Sequence, residues 1–459
     1  RETYPYVVAI SWTETGGPLI TVLRRLQQHG LVLAVDPRTG ETQVHAELAD
    51  PRWVEPIGGT PVYLPDGRVL VGGELAHDGY DARCLFADGT LASPPSLYVK
   101  RVIGRVDPAD LLVEAVDGEP GEQHVFRLGV SAGSSGADVT RLTTAPGWHS
   151  GFVGGDTLVI ASMSLDHAGT RWTVHKLGRP GAGPAADAPA ALEIANLATQ
   201  PPYAPRPVLE RVTDRRIPAS VLYPRSHVAG RKLPVLVDIY GGPSGKMVVA
   251  TRAAFLERQW LADAGFAVVS IDNRGTPGVA PSFEKVIHRR MADVILGDQV
   301  EALRALADKH HDLDLDRVGI RGWSFGGWLS ALAALRRPDV YKAAVVGAPV
   351  TDWQLYDTAY TERYLGLPGD GSDVYAHHNL VEMAREPLRQ GEAASPMLLI
   401  HGFADDNVVA AHTLLLSAAM LSTARPHSMI PLPGASHMAA GLEGQLMRLV
   451  LSFLREHLG

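Results

Sequence analysis

The chain has 459 residues, 46% of them hydrophobic and 20% charged, with a formal net charge of −8, a composition that fills more than one ordinary core and sets two or three domains as the expectation. Charges of both signs are interspersed with no basic patch, which argues against a nucleic-acid partner. No apolar run approaches the roughly 20 residues of a membrane span, and no basic-then-apolar leader opens the chain, so no membrane partner is expected. The single cysteine, Cys84, rules out an intrachain disulfide and fits a reducing, cytoplasmic compartment, with secreted or periplasmic sites as alternatives. Because Arg1 stands inside sequence that already reads as strand-rich, the chain is expected to be a piece of a longer one.

From the start to about residue 178 the pattern is short β-type runs, at residues 6–12, 31–35, 69–71, 157–161 and 172–177. Turn clusters separate several of them: Asp36-Pro37-Arg38-Thr39-Gly40, Pro65-Asp66-Gly67-Arg68 and Ala87-Asp88-Gly89-Thr90, which are punctuation a strand cannot carry. No long amphipathic helix interrupts them, so residues 1–200 are expected to form an all-β domain, either a sandwich or propeller blades. Residues 179–207 are rich in Ala, Pro and Gly, as in Gly181-Ala182-Gly183-Pro184 and Gln200-Pro201-Pro202-Tyr203. They read as a connector unable to bury a core.

After the connector the rhythm becomes strand, loop, helix. Continuous apolar strands are expected at residues 234–240, 267–271, 318–320, 343–346 and 397–400, as for parallel strands buried on both faces. Helical spacing follows in Leu296, Val300, Leu303 and Leu306, and again in Leu442, Leu446, Val450 and Phe453. Residues 201–459 therefore read as a doubly wound α/β domain with a mostly parallel sheet.

The chemistry sits in this second domain. Gly322-Trp323-Ser324-Phe325-Gly326-Gly327 stands between the apolar strand at 318–320 and the helical run at 329–335, the context of a nucleophile elbow, whose glycines permit the sharp turn that presents a serine hydroxyl. A glycine-rich turn needed only for close packing is the plainer reading of those residues, but it leaves the later segments unexplained. A serine hydroxyl is a poor nucleophile unless an imidazole beside it takes the proton, itself oriented by a carboxylate. Strand 397–400 runs into His401-Gly402-Phe403-Ala404-Asp405-Asp406-Asn407-Val408, and the candidate strand 427–431 runs into Gly434-Ala435-Ser436-His437-Met438. Order and placement match the serine, acid, histidine order of α/β-hydrolases, with Ser324 as nucleophile and His437 as base. Spacing alone leaves Asp405 and Asp406 both open as the acid. His401, close to its strand, and His412, at a helix start, read as structural. The pairs His310-His311 and His377-His378 read as solvated loops, because adjacent rings diverge and no carboxylate stands at ligand spacing.

At these residues the sequence resembles the prolyl oligopeptidase family, and within it the dipeptidyl peptidase IV branch. The resemblance is carried by Asp238-Ile239-Tyr240-Gly241-Gly242-Pro243, Asp272-Asn273-Arg274-Gly275, the elbow itself, Ala348-Pro349-Val350, Tyr356-Asp357, Tyr360-Thr361-Glu362-Arg363-Tyr364 and the 401–408 segment. It implies an α/β-hydrolase preceded by part of a β-propeller, incomplete and without its early blades. It also implies Asp405 as the acid, and an oxyanion hole made of the Tyr240 hydroxyl and the Phe325 N–H. The implied pocket for a proline ring is lined by Phe325, Val350, Trp353, Tyr356, Tyr360 and Val408, with Asn407 binding the preceding carbonyl. Without the resemblance, Trp353, Tyr356 and Tyr360, spaced i, i+3, i+7, would read as one buried helix face.

The leading expectation is a serine peptidase that releases amino-terminal dipeptides after proline or alanine through an acyl-enzyme on Ser324, with no metal or organic cofactor. One departure bears on it: the branch grips the substrate's free amine with adjacent glutamates, and this chain contains no Glu-Glu. An acylaminoacyl peptidase or oligopeptidase of the same family is the alternative. A small-ester hydrolase, for which the triad suffices, and a catalytically silent binding module are the readings from other classes. Peptides are the expected partners, together with a homodimeric copy, since relatives often pair through the hydrolase domain, and a missing amino-terminal propeller segment.

Overall fold

The structure, a computed structural model, describes residues 2–12, 16–77, 80–107, 110–130, 138–177, 191–388, 391 and 393–459. It divides into two compact units: Arg1–Ala204 with Val249–Ala253 and Pro277–Lys285, and Pro205–Val248 with Ala254–Thr276 and Val286–Gly459.

Among the described residues the first unit contains four antiparallel sheets of four strands, each with its strands in chain order. The first runs from Tyr6–Ser11 to Thr42–Ala49, the second from Val62–Tyr63 to Thr90–Leu91, the third from Tyr98–Asp107 to Val139–Arg141, and the fourth from Trp148–Gly154 to Leu192–Ile194. Tight turns set this meander. Asp88 and Gly89 both have positive φ, 45° and 79°, the twist that a two-residue hairpin loop requires. Core residues lie between successive sheets: Leu19, Val32 and Val69 between the first and second, Leu70, Leu85, Val99, Leu111 and Phe126 between the second and third, and Leu112, Leu158 and Ile160 between the third and fourth. Each sheet buries its apolar faces on its neighbours, the packing of propeller blades.

Two features of this unit depart from the composition reading. Leu192–Ile194, inside the stretch taken as a connector, pairs with Arg171–Lys176 as the outer strand of the fourth sheet. A three-residue edge strand needs only backbone pairing, so its composition gives no warning. The Gly181-Ala182-Gly183-Pro184 run lies outside the described residues. Two short segments from far along the chain also join this unit, held by buried polar contacts. The Ala250 N–H donates to Gly121 O at 2.8 Å, and the Glu284 carboxylate meets Arg83 at 2.9 Å and the Tyr98 hydroxyl. Lys285 reaches Asp50 at 2.7 Å and Glu74 at 2.5 Å. Burial raises the Glu284 pKa, and the Arg83 guanidinium opposes it.

The second unit is one eight-stranded sheet. In chain order its strands are β1 (Val208–Val212), β2 (Ile217–Leu222), β3 (Leu233–Ile239), β4 (Ala267–Ile271), β5 (Leu313–Trp323), β6 (Tyr341–Gly347), β7 (Met397–Gly402) and β8 (His427–Leu432). Their spatial order is β1-β2-β4-β3-β5-β6-β7-β8. From β4 across to β8 every pairing is parallel, and β3, β4 and β7 are buried along their whole length, as expected of strands covered by helices on both faces. The antiparallel β1 and β2 at one edge were not anticipated. The covering helices include α1 (Leu256–Asp263), α2 (Met291–Lys309), α3 (Phe325–Arg336), α4 (Thr358–Leu365), α5 (Ala411–Ser422) and α6 (Glu443–Leu458). From β3 the chain moves to β4 on one side and then to β5 on the other, a topological switch that opens a crevice at the carboxyl ends of the strands. Among the described residues no helix is long and apolar enough to cross a membrane.

Candidate active site

Tyr240 follows β3, Ser324 follows β5, Val350 lies just past β6, Asp405 past β7 and His437 past β8. Five strand ends thus deliver five side chains to one edge of the sheet.

Ser324 sits at φ 60° and ψ −118° between β5 and α3, a backbone state that costs an ordinary residue about 1–3 kcal/mol and persists only where surrounding structure enforces it. The enforcement is visible. The Ser324 N–H donates to Gly347 O at 2.9 Å. Space is also closed around the turn: a Cβ on Gly322 would stand 2.3 Å from Gly326 O, and one on Gly327 would stand 2.2 Å from Gly347 O. Only glycine fits at either place. The first amides of a helix have no intrahelical acceptor, so the Phe325 N–H, opening α3, is a free donor beside the serine.

The two aspartates separate by geometry. Asp405 is buried and Asp406 exposed. Asp405 Oδ1 accepts the N–H groups of Asn407 and Val408 at 3.0 and 2.9 Å, and its Oδ2 accepts His437 Nδ1–H at 2.7 Å. This leaves Nε2 as the ring's remaining basic nitrogen. The loop after β8 is held by the Trp323 indole, which donates to His437 O at 2.7 Å, and by Ala404 N–H donating to Ala435 O at 3.0 Å. His401 is fully buried and supports the same turn: its Nε2–H donates to Val408 O at 2.7 Å, and its Nδ1 accepts from Thr413 at 2.6 Å. Burial lowers the His401 pKa, so the ring is neutral. His412 is also buried, with Nδ1 accepting the Thr351 N–H at 3.1 Å.

A pocket of about 420 Å³ holds Ser324 and His437 together with Tyr240, Ser244, Trp323, Phe325, Val350, Trp353, Tyr356, Tyr360, Asn407 and Met438. Val408, expected in the pocket wall, is not among the lining residues: it is fully buried, its N–H bound to Asp405 in the turn after β7. The rings form one cluster: Trp353 stacks on Tyr360 with centroids 6.1 Å apart and meets Tyr356 edge-on at the same distance, and Phe325 lies 5.8 Å from Trp353. The single helix face suggested by their spacing does not form. Asp357 caps α4 by accepting the Tyr360 N–H at 2.8 Å, and Tyr356 is extended, so the chain breaks between Trp353 and Tyr360 and turns its rings inward. Burial holds the Tyr360 and Tyr356 phenols above their ordinary pKa, and they stay protonated near neutrality. The Tyr356 hydroxyl donates to Asn407 Oδ1 at 2.9 Å. That leaves the Asn407 amide N–H₂ as the free donor facing the pocket.

Ser244, Trp323 and Met438 also line the pocket, and sequence reasoning assigns none of them a role there. The signal for Ser244 was its place in the glycine-proline turn after Tyr240, and for Trp323 its place inside the elbow. His310 pairs with Glu210 and His377 with Asp293, at 2.6 and 2.9 Å, and no cluster of metal-capable side chains occurs among the described residues; the solvated loop expected at His377-His378 is not found, since His377 ends a short helix and His378 is fully buried.

Residues 252–459 match the model of the prolyl oligopeptidase family. The chain is 36% identical to human dipeptidyl peptidase 8 over 265 residues, covering 56% of this chain and 29% of that one. It is 32% identical to mouse prolyl endopeptidase FAP over 189 residues, covering 41% and 24%. It thus spans less than a third of either relative. The crystal structure of Porphyromonas gingivalis dipeptidyl peptidase 4 superposes with a TM-score of 0.84 over 99% of this chain and 64% of that one, at 21% identity, a likeness of fold: propeller sheets followed by an α/β-hydrolase.

Proposed function

From the match of residues 252–459 to the prolyl oligopeptidase family we propose that the chain is a serine peptidase releasing dipeptides from the amino end of peptides after proline or alanine. The observation that carries this reading is the pairing of His437 Nδ1 with a buried Asp405 at 2.7 Å in a pocket shared with the strained Ser324.

In this reading His437 Nε2 takes the Ser324 proton as Oγ attacks the scissile carbonyl. Asp405 keeps the ring in the required tautomer and stabilises the imidazolium that forms. The Phe325 N–H and Tyr240 hydroxyl receive the oxyanion, donors worth roughly 3–4 kcal/mol each at the transition state in other hydrolases. His437 returns its proton to the leaving amine, and water then resolves the acyl-enzyme by the reverse sequence. The box of Phe325, Val350, Trp353, Tyr356 and Tyr360 suits a compact apolar ring, which gains burial and ring contact there while a long or charged side chain would not. The free amide of Asn407 suits the carbonyl that precedes that ring.

The test is hydrolysis of a free-amine Ala-Pro chromogenic amide beside its amino-blocked twin, with Ser324→Ala as control. Cleavage of the free form alone, abolished in the variant, supports release of dipeptides. Cleavage of the blocked form supports the acylaminoacyl or oligopeptidase alternative. Turnover that survives Ser324→Ala removes the serine mechanism.

A further inference from the structure

Tyr240 has its ring held by two neighbours, the Phe325 ring and the turn that follows it. Its ring lies 5.9 Å from that of Phe325. The turn that follows it, Gly241-Gly242-Pro243-Ser244-Gly245, wraps the ring so closely that a Cβ on Gly242 would come within 2.9 Å of Tyr240 Cε1, and one on Gly245 within 2.7 Å of Cδ1. That turn is pinned at its start and just past its end. Asn273 Nδ2 donates to Gly241 O at 3.0 Å, and the buried Asp272 carboxylate accepts the N–H groups of Met247 and Val248 at 2.8 and 3.1 Å. With the ring held, the freedom left to Tyr240 is the torsion of its O–H. At that hydroxyl the turn places Ser244, with Oγ 2.9 Å from Tyr240 Oη, and both residues line the pocket of Ser324 and His437.

A phenol carries one proton and two acceptor lone pairs. In the resting pocket either hydroxyl can donate to the other. Once Tyr240 turns its proton to an oxyanion, the 2.9 Å contact survives only if Ser244 donates into Tyr240 Oη. Donation into that oxygen polarises the Tyr240 O–H as negative charge develops beyond it, and consecutive hydrogen bonds of this kind strengthen one another. We propose that Ser244 is a positioning residue for the oxyanion hole, aiming the Tyr240 hydroxyl and donating to it in the transition state. This rests on the reading of Tyr240 as an oxyanion donor.

The experiment is a double-mutant cycle of Tyr240→Phe and Ser244→Ala in the 459-residue chain, with Ser244→Thr as the conservative variant. The readout is kcat and KM for p-nitrophenyl butyrate, an activated ester whose hydrolysis passes through the same oxyanion without peptide subsites. Tyr240→Phe should lower kcat by roughly 10²–10³, and Ser244→Ala by about three- to tenfold, the scale of one neutral hydrogen bond, with KM within about twofold. Ser244→Thr should keep most of the rate. In the Tyr240→Phe background the Ser244→Ala loss should vanish, because the two side chains act as one unit. Wild-type kcat in Ser244→Ala, or an equal loss in both backgrounds, overturns the proposal while leaving Tyr240 in its role. An unchanged kcat in Tyr240→Phe overturns the oxyanion reading of Tyr240 and this proposal with it.

Discussion

Two adjacent aspartates with the same charge differ completely in what surrounds them. Asp405 accepts two backbone amides on one oxygen and His437 on the other, whereas Asp406 faces solvent. The amide caps are compatible with a neutral side-chain oxygen, so Asp405→Asn should fold and still lose the His437 tautomer. We expect kcat to fall by roughly 10⁴ with little change in melting temperature, and Asp406→Asn to keep kcat within about twofold of wild type, as a surface exchange does. Steady-state kinetics beside a thermal melt checks both. Spacing could not separate this pair because the direction of a side chain in a turn depends on which backbone amides need caps, and that becomes visible only once the loop is closed. Ser244 escaped for a related reason: a serine in a glycine-proline turn looks like ordinary turn chemistry until Tyr240 is seen beside it.

Whole elements were read more readily where the signal is local. The elbow, β3 to β8 and the helices after β5 and β8 followed from apolar runs, glycine placement and helical spacing. The elbow motif was legible because its glycines are sterically obligatory: a Cβ on Gly327 would stand 2.2 Å from Gly347 O, a backbone atom of β6 that cannot swing aside. Gly327→Ala should therefore force β6 and α3 apart, costing about 1–3 kcal/mol or more, and lower kcat together with stability. Denaturant titration and the ester assay on one preparation test this; unchanged values in both would contradict the packing described. Elements set by distant partners were not legible. The edge strand Leu192–Ile194 owes its form to Arg171–Lys176, and the break between Trp353 and Tyr360 is imposed by caps at Asp352 and Asp357 that helical spacing does not record. The grouping of Pro277–Lys285 with the β-rich unit rests on Arg83, Tyr98, Asp50 and Glu74, some two hundred residues earlier.

For the molecule as a whole, buried neutral histidines make stability depend on pH. His378 donates Nδ1–H to Val374 O at 2.6 Å and accepts the Ala292 N–H on Nε2 at 3.1 Å, while His412 accepts the Thr351 N–H on Nδ1. Protonation would break each accepted bond, and burial holds both rings down to a pKa of about 4. Because the unfolded chain takes up these protons near pH 6.5 and the folded chain only near 4, the second unit is fully stable above about 6.5 and loses stability as pH falls toward 4. The loss is on the order of 3 kcal/mol for each ring. Melts from pH 8 to 4 should show it, and His378→Gln should flatten part of the slope; a pH-independent melting temperature would contradict the neutral assignment. The placement of the reacting groups also bears on how such a chain is made. Tyr240, Ser324, Asp405 and His437 hang from separate strand ends, and the last follows β8, the last strand of this sheet in chain order. Synthesis runs from the amino end and domains fold as units, so a growing chain carries Ser324 without His437 while β6 to β8 are still being made. The pocket around Ser324 is therefore complete only once β8 has closed the sheet, so the order of strands along the chain sets when the histidine arrives.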